Sequence, residues 1–321
     1  MTPSALISAG PAGVKVLLVL ALLSAPATEQ LPVNPNEGSR SDISVNVNLV
    51  VLQATVRDAA GRYVPGLRRE DFTIFEDGVR QTLQFFRDED VPVTVGLVVD
   101  HSGSMRHKLA DVVAAARTFA EFSRPEDQMF VVNFNETLTL GLPAGVDFTS
   151  QPSELSRAVA HTRAEGKTAL YDAVLQAQRR VQRGVPEKRV LVVISDGADN
   201  ASVHSLADVL HSASVSSAQV FTIGLFDEEN HDRNPGVLRK LAQATGGEAF
   251  LPREPRDVVG ISERIATDIR HQYSLGYVSN NAVDGYHAVR VQVRSDRGRL
   301  TVRTRAGYQA VSTPKAAEVH P

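Results

Sequence analysis

Oxygen-bearing side chains follow two apolar runs of the sequence and begin one predicted helix. Asp100, Ser102 and Ser104 come directly after VTVGLVV, and Asp196 follows RVLVVIS. Thr168, in EGKTAL, stands where a helix is predicted to begin. Carboxylate and hydroxyl oxygens are the ligands that hard divalent ions such as Mg²⁺ and Mn²⁺ prefer. Aspartate and serine also cap helices. Whether these residues form a metal site or only cap helices depends on the strands and helices that position them.

The region of about residues 91–270 alternates between predicted strands and predicted helices. VTVGLVV and RVLVVIS are continuous apolar runs, typical of strands that are buried on both faces of a parallel sheet. KLADVVAAARTFAEF repeats apolar residues at helical spacing. This alternation predicts a doubly wound α/β domain with a mostly parallel sheet. Ligands bind such sheets at the carboxyl ends of the strands, where the oxygen-bearing residues are therefore expected to lie.

Before this domain, about residues 43–90 are predicted to be entirely β. The runs FTIFE and VRQTLQFF flank Asp77-Gly78. This dipeptide is a strong hairpin signal, because both turn positions accept positive φ.

After this domain, about residues 271–309 again alternate like strands, in YSLGYV, YHAVRVQVR and RLTVRTR. Since the ends of domains tend to lie close together, this segment and residues 43–90 could pair into one small β domain. Residues 310–321 are expected to be a disordered tail. Four alternating arginines in the segment are expected on a solvated sheet face: Arg290, Arg294, Arg303 and Arg305.

The amino-terminal residues 1–27 have the pattern of a secretory signal peptide. Lys15 precedes the short apolar run VKVLLVLALLS, and Ala25-Pro26-Ala27 provides a small-x-small cleavage pattern. An uncleaved anchor is the alternative. Residues 28–42 are predicted to be a polar linker. The sequence therefore predicts an exported protein, periplasmic or secreted, without a transmembrane span once the signal is removed.

Composition excludes several classes of function. The formal net charge of -3 offers no basic footprint for nucleic acid. The absence of cysteine excludes disulfides, thiolate metal sites and a cysteine nucleophile. The identity of a partner and the oligomeric state stay open.

The sequence DHSGS, with GKTALYDA and SDGADN, resembles a von Willebrand factor type A domain that carries a metal-ion-dependent adhesion site. The resemblance covers roughly residues 91–270. The flanking FTIFEDG, YSLGY and VRTRAGY further resemble the acidobacterial-type group of related bacterial proteins.

This resemblance implies a metal-dependent protein-binding module and not an enzyme. Ser102, Ser104 and Thr168 would ligate Mg²⁺ or Mn²⁺ directly, while Asp100 and Asp196 would act largely through water. The ion would keep an open position for an aspartate or glutamate of a protein partner. The resemblance thus implies an adhesion-type function.

Other interpretations of the same residues fit less well. Gly166-Lys167-Thr168 mimics the end of a phosphate-binding loop, but His161 stands where that motif requires its first glycine. HSGSM lacks the pattern of a serine-hydrolase elbow. His101 is expected to be a solvated loop histidine, with the rim of the metal site as the alternative. A metal-assisted hydrolase and a structural scaffold with a vestigial site are the remaining alternatives.

Overall fold

The computed structural model describes residues 49–226, 232–281 and 283–310. The predicted signal peptide, the linker and residues 311–321 of the predicted tail lie outside these ranges. Ala310, the first residue of that predicted tail, is the last residue of a strand. Among the described helices, none combines the length and the apolar character that crossing a membrane requires.

The described strands, in chain order, are β1 (Leu49–Arg57), β2 (Phe72–Glu76), β3 (Val79–Gln81), β4 (Leu83–Arg87), β5 (Val93–Asp100), β6 (Gln128–Phe134), β7 (Leu138–Leu140), β8 (Lys188–Ser195), β9 (Gln219–Gly224), β10 (Ala249–Phe250), β11 (Tyr273–Val278), β12 (Gly285–Val293), β13 (Thr301–Arg303) and β14 (Gly307–Ala310). The described α-helices are α1 (Leu109–Glu121), α2 (Pro152–Ala160), α3 (Leu170–Val181), α4 (Leu206–Val215), α5 (Pro235–Thr245) and α6 (Val258–Arg270).

The central sheet has the strand order β10-β9-β8-β5-β6-β7 and is parallel except for β7. All eight residues of β5 are buried, so both faces of the sheet are covered. At the centre of β5, Gly96 lets Phe130 and Leu191 pack closely, since an added Cβ would lie within 2.7 Å of both side chains. The predicted doubly wound α/β class is confirmed. The antiparallel edge strand β7 and helix α2 were not predicted.

The strands before and after this region pair with one another in two four-stranded antiparallel sheets, β13-β1-β11-β4 and β14-β12-β2-β3. Leu52 of β1 faces Leu275 of β11, and Ile74 of β2 faces Val291 of β12. Asp77 adopts a φ of 49° and Gly78 a φ of 82° between β2 and β3, as expected for the predicted hairpin. The buried residues of the two sheets share one hydrophobic cluster, which makes this part of the chain a β-sandwich.

Two of the alternating arginines lie in places that the sequence did not indicate. The guanidinium of Arg303 pairs with Glu248, and that of Arg305 donates to the carbonyls of Ala213, Ser214 and Ser216 at the end of α4, at 2.9–3.1 Å. The expected solvated face is therefore wrong for both, because the α/β region covers them. A positive charge at the C-terminus of a helix is favourable, which explains the position of Arg305.

The described residues contain two hydrophobic clusters. The larger one draws all its buried residues from between Val93 and Ile269. The smaller one comes from Leu52–Ile74 and Tyr273–Val291. The proposed domain boundaries of 43–90, 91–270 and 271–309 stay a prediction, and this division of the core supports it.

A fragment of residues 91–270 is expected to unfold cooperatively in urea, because it keeps its whole hydrophobic cluster. It loses the ion pair between Arg57 and Asp268, so its midpoint should fall below that of the full chain. Residues 43–88 alone should show no cooperative transition, since the strands that complete their core are missing. Circular dichroism against urea concentration measures both. A gradual transition of the larger fragment would contradict the proposed boundaries.

Candidate metal site

The candidate site lies where the order of the central sheet reverses. From β5 the chain continues to β6 on one side and later returns to β8 on the other. The loops after β5 and β8 diverge there and leave a crevice at the carboxyl edge, which is the general place for ligands in such sheets. Asp100 is the last residue of β5, and Asp196 directly follows β8. The topology therefore brings together two carboxylates that are far apart in the sequence.

The loop after β5 folds back on its own aspartate. Oδ1 of Asp100 accepts the N–H of Ser102 at 2.8 Å, and Oδ2 accepts the hydroxyl of Ser195 at 2.6 Å. These bonds fix the carboxylate, which is fully buried. They also place Ser102 just before a short 3-10 turn, Gly103–Met105, that carries Ser104. The Oγ atoms of Ser102 and Ser104 lie 3.2 Å apart.

Asp196 joins this group directly. Its Oδ2 accepts the hydroxyl of Ser104 at 2.6 Å, and its Oδ1 accepts the N–H of Ala198 at 3.0 Å. The side chains of Ser102, Ser104 and Asp196 therefore form a continuous set of oxygen atoms. Asp100 adjoins the set through Ser102.

Thr168 lies in the neighbouring loop and is nearly buried, at 4% exposure. The N–H of Gly103 donates to the carbonyl of Gly166 at 3.2 Å, which joins this loop to the loop after β5. Asn200 Oδ1 accepts the N–H of Thr168 at 2.9 Å, and the Thr168 carbonyl accepts the N–H of Asn200 at 3.0 Å. The backbone of Thr168 is thus held at the same edge as the other four residues.

The electrostatics of the edge favour a cation. Burial raises the pKa of Asp100 to about 6, and the nearby charge of Asp196 adds to the rise, while hydrogen bonds from Ser195 and Ser102 oppose it. A carboxylate whose ionised form is disfavoured in this way is stabilised by a positive charge beside it. A divalent ion supplies such a charge.

The oxygen spacing also fits a small divalent ion. Adjacent ligands of an octahedral Mg²⁺, each about 2.1 Å from the ion, lie about 3 Å apart. The oxygen separation between Ser102 and Ser104 is 3.2 Å, close to this value, while Asp196 Oδ2 lies at hydrogen-bond distance, 2.6 Å, from Ser104 Oγ. The proposed ligand atoms are hydroxyl and carboxylate oxygens, and the set contains no nitrogen or sulfur atom. The residues present therefore fit Mg²⁺ or Mn²⁺ better than a softer ion.

Several residues that support this edge were not predicted from the sequence. Ser195 links Asp100 to the backbone of Gly197, and Asp199 accepts the N–H of Tyr171 at the start of α3. His101 is fully buried, with Nε2 3.0 Å from Oδ1 of Asn133, so the expectation of a solvated loop histidine is wrong. The backbone of His101 is held on both sides, since its N–H donates to the Phe134 carbonyl and its carbonyl accepts the N–H of Glu165.

Gly197 has a φ of 79°, and an added Cβ would lie 2.3 Å from the carbonyl oxygen of Asn234. Gly197→Ala should therefore destabilise the chain by about 2 kcal/mol or more, through backbone strain and the clash with the carbonyl of Asn234, just before α5. Gly260→Ala is the control, since Gly260 lies in α6 with nothing within 4 Å of an added Cβ. It should be neutral or stabilising by up to about 1 kcal/mol. Urea denaturation measures both, and equal midpoints would contradict the close contact.

Comparisons with known proteins agree with the fold. Residues 95–198 match the family model of the von Willebrand factor type A domain. A von Willebrand factor type A protein from Catenulispora acidiphila is similar in structure, with 16% identity, a TM-score of 0.50, and coverage of 74% of this chain and 73% of that chain.

Two further solved structures share less of the chain. Protein BatB from Bacteroides thetaiotaomicron has 17% identity, a TM-score of 0.43, and coverage of 55% of this chain and 98% of that chain. The vWF domain of the type V pili tip protein Mfa5 from Porphyromonas gingivalis has 13% identity, a TM-score of 0.46, and coverage of 56% and 95%. No curated protein matches the sequence.

The doubly wound sheet and the match over residues 95–198 together indicate the fold of a von Willebrand factor type A domain for this part of the chain. In the sequence, this part lies between the two segments whose strands form the β-sandwich.

Proposed function

We propose that the chain is an exported protein-binding module whose binding depends on Mg²⁺ or Mn²⁺. The observation that carries this proposal is the continuous set of oxygen atoms from Ser102, Ser104 and Asp196, at 3.2 and 2.6 Å, at the switch point of the sheet. Asp100 and Thr168 complete the proposed site. The assignment of the site is a proposal that the fold and the spacing support.

The residues divide into two roles. Ser102, Ser104 and Thr168 provide neutral hydroxyls, which would hold the ion without cancelling its charge. Asp100 and Asp196 would hold it largely through water, while Asp100 accepts the backbone N–H of Ser102 and Asp196 accepts the hydroxyl of Ser104. A bound ion with an open position attracts a carboxylate of a partner. The proposed partner is therefore a protein that presents an aspartate or a glutamate at its surface.

We infer that the site serves binding rather than catalysis. Asp100 and Asp196 both accept hydrogen bonds from the loops around them, which gives each carboxylate a role in holding the site together. The protein is accordingly proposed to be non-enzymatic and to act in the periplasm or outside the cell.

The experiment is affinity capture from a native envelope preparation, with EDTA and with added Mg²⁺. Partner recovery that requires Mg²⁺ supports the proposal. Metal-dependent hydrolysis of phosphoester or peptide substrates that is lost in Asp100→Ala would contradict the proposal and favour a metal-assisted hydrolase. Partner recovery that is unchanged by EDTA would favour a structural scaffold with a vestigial metal site.

A further inference from the structure

A second cluster of metal-ligating side chains lies in the β-sandwich. Glu76 ends β2, Asp77 begins the turn to β3, and His287 lies on β12. Nδ1 of His287 is 2.7 Å from Oδ2 of Asp77 and 3.7 Å from Oε1 of Glu76. One potential ligand atom from each residue lies within 4.8 Å of the other two. The cluster is formed by long-range pairing, since His287 follows Asp77 by 210 positions.

Glu76 is an unusual member of this cluster because it is buried. The residue is only 2% exposed. Its Oε1 accepts the hydroxyls of Ser279 at 2.8 Å and of Tyr308 at 3.2 Å, whereas its Oε2 is buried without a hydrogen-bond partner. A buried carboxylate is costly unless a positive charge and hydrogen bonds compensate it. Glu76 therefore points to a cation within the cluster.

The contacts of His287 show which of its nitrogens faces the carboxylates as a ligand. Nε2 lies 2.8 Å from the carbonyl of Val283, so Nε2 carries a proton and donates it. The side-chain nitrogen of Asn281, which can only donate, lies 3.2 Å from Nδ1. The orientation of this amide is fixed because its Oδ1 accepts the N–H of Val283. Nδ1 therefore is the nitrogen that faces Asp77, at 2.7 Å, and Glu76, at 3.7 Å, and release of its proton would direct a lone pair at both carboxylates.

We propose that Glu76, Asp77 and His287 bind a zinc-class divalent ion, at a site separate from the carboxyl edge of the central sheet. Two carboxylates and a neutral imidazole balance the two charges of the ion. If a proton on His287 were the only positive charge, the two carboxylates and the imidazolium would together carry one net negative charge, part of it on the buried Glu76. An imidazole with carboxylates suits zinc, whereas Mg²⁺ prefers oxygen alone.

The geometry leaves room for the ion with a small rearrangement. Ligands about 2.0–2.1 Å from a tetrahedral zinc ion lie about 3.3 Å apart, which falls between the 2.7 and 3.7 Å separations from Nδ1. The side chain of Asp77 is 40% exposed, so solvent can reach the site and supply a fourth ligand. The ion would tie the β2–β3 turn to β12 and stabilise the sandwich.

The test uses the full chain with Asp100→Ala, which removes a residue of the other proposed site. After treatment with EDTA, zinc is titrated calorimetrically at pH 8, because the hydrogen bond with Asp77 raises the pKa of His287 and protons compete with the ion at lower pH. One equivalent of zinc is expected to bind. Adding His287→Gln or Asp77→Asn should weaken zinc binding by more than about 100-fold, beyond the 10–100-fold that is typical for supporting residues.

The control is His211→Gln, on an exposed histidine of α4, which should leave zinc binding unchanged. Asp77→Asn preserves the turn, because asparagine tolerates the positive φ at this position. Circular dichroism verifies that each variant is folded. Equal zinc affinity with and without His287, or no zinc binding by the folded Asp100→Ala chain, would overturn the proposal.

Discussion

Mg²⁺ or Mn²⁺ is expected to raise the melting temperature of the wild-type chain by about 5 to 11 °C at about 100 times its dissociation constant. The proposed ligands come from segments that the unfolded chain does not hold together, since Ser104 and Asp196 are 92 positions apart. The ion therefore binds the folded state and stabilises it by mass action. Differential scanning fluorimetry across metal concentrations measures the shift.

Asp100→Ala should abolish this shift. The carboxylate positions the N–H of Ser102 and the hydroxyl of Ser195, so its loss removes both a charge beside the ion and the order of the loop. Asp296→Ala is the control, because Asp296 is exposed between β12 and β13. That variant should show the full shift. A melting temperature of the wild type that stays constant across millimolar Mg²⁺ would indicate a vestigial site.

The main features of the fold could be predicted because they depend on local patterns. Continuous apolar runs such as residues 93–99 indicate buried parallel strands. Asp77-Gly78 indicates a hairpin, because the dipeptide adopts positive φ with little strain. Asp100 and Asp196 were predicted at one edge, since each directly follows a strand and parallel strands end on the same side. The structure places them there.

What could not be predicted depends on packing between distant segments. The alternation around Arg303 and Arg305 defines a face of the sheet but not what covers it, and here Glu248 and the end of α4 cover it. The burial of His101 depends on contacts with Asn133, on the neighbouring strand. The cluster of Asp77 and His287 likewise requires β2 and β12 to pair. The hydrophobic pattern of a single segment does not predict contacts between segments that are far apart in the sequence.

Thr168→Ala is expected to reduce metal-dependent capture of the partner by at least about tenfold, with little effect on folding. The change removes one hydroxyl that would hold the ion. The loop keeps its position, because the bonds to Asn200 and Ala201 use the backbone of Thr168. Thr267→Ala is the matched control, since it removes the same hydroxyl from an exposed position of α6. Thr267→Ala should leave metal-dependent capture of the partner unchanged.

Asp196→Asn extends this test to the charge of the site. Asparagine keeps the shape, and with its oxygen toward the N–H of Ala198 its NH2 group can donate to the hydroxyl oxygen of Ser104. The change removes a negative charge near the ion. Metal affinity, and with it capture, should fall by about 10- to 100-fold, and higher Mg²⁺ should restore capture. Both variants therefore weaken binding of the ion, Thr168→Ala by removing a hydroxyl and Asp196→Asn by removing a charge. Partner binding that survives EDTA, Thr168→Ala and Asp196→Asn would place the interface away from the metal, and the β-sandwich would then be the surface to examine.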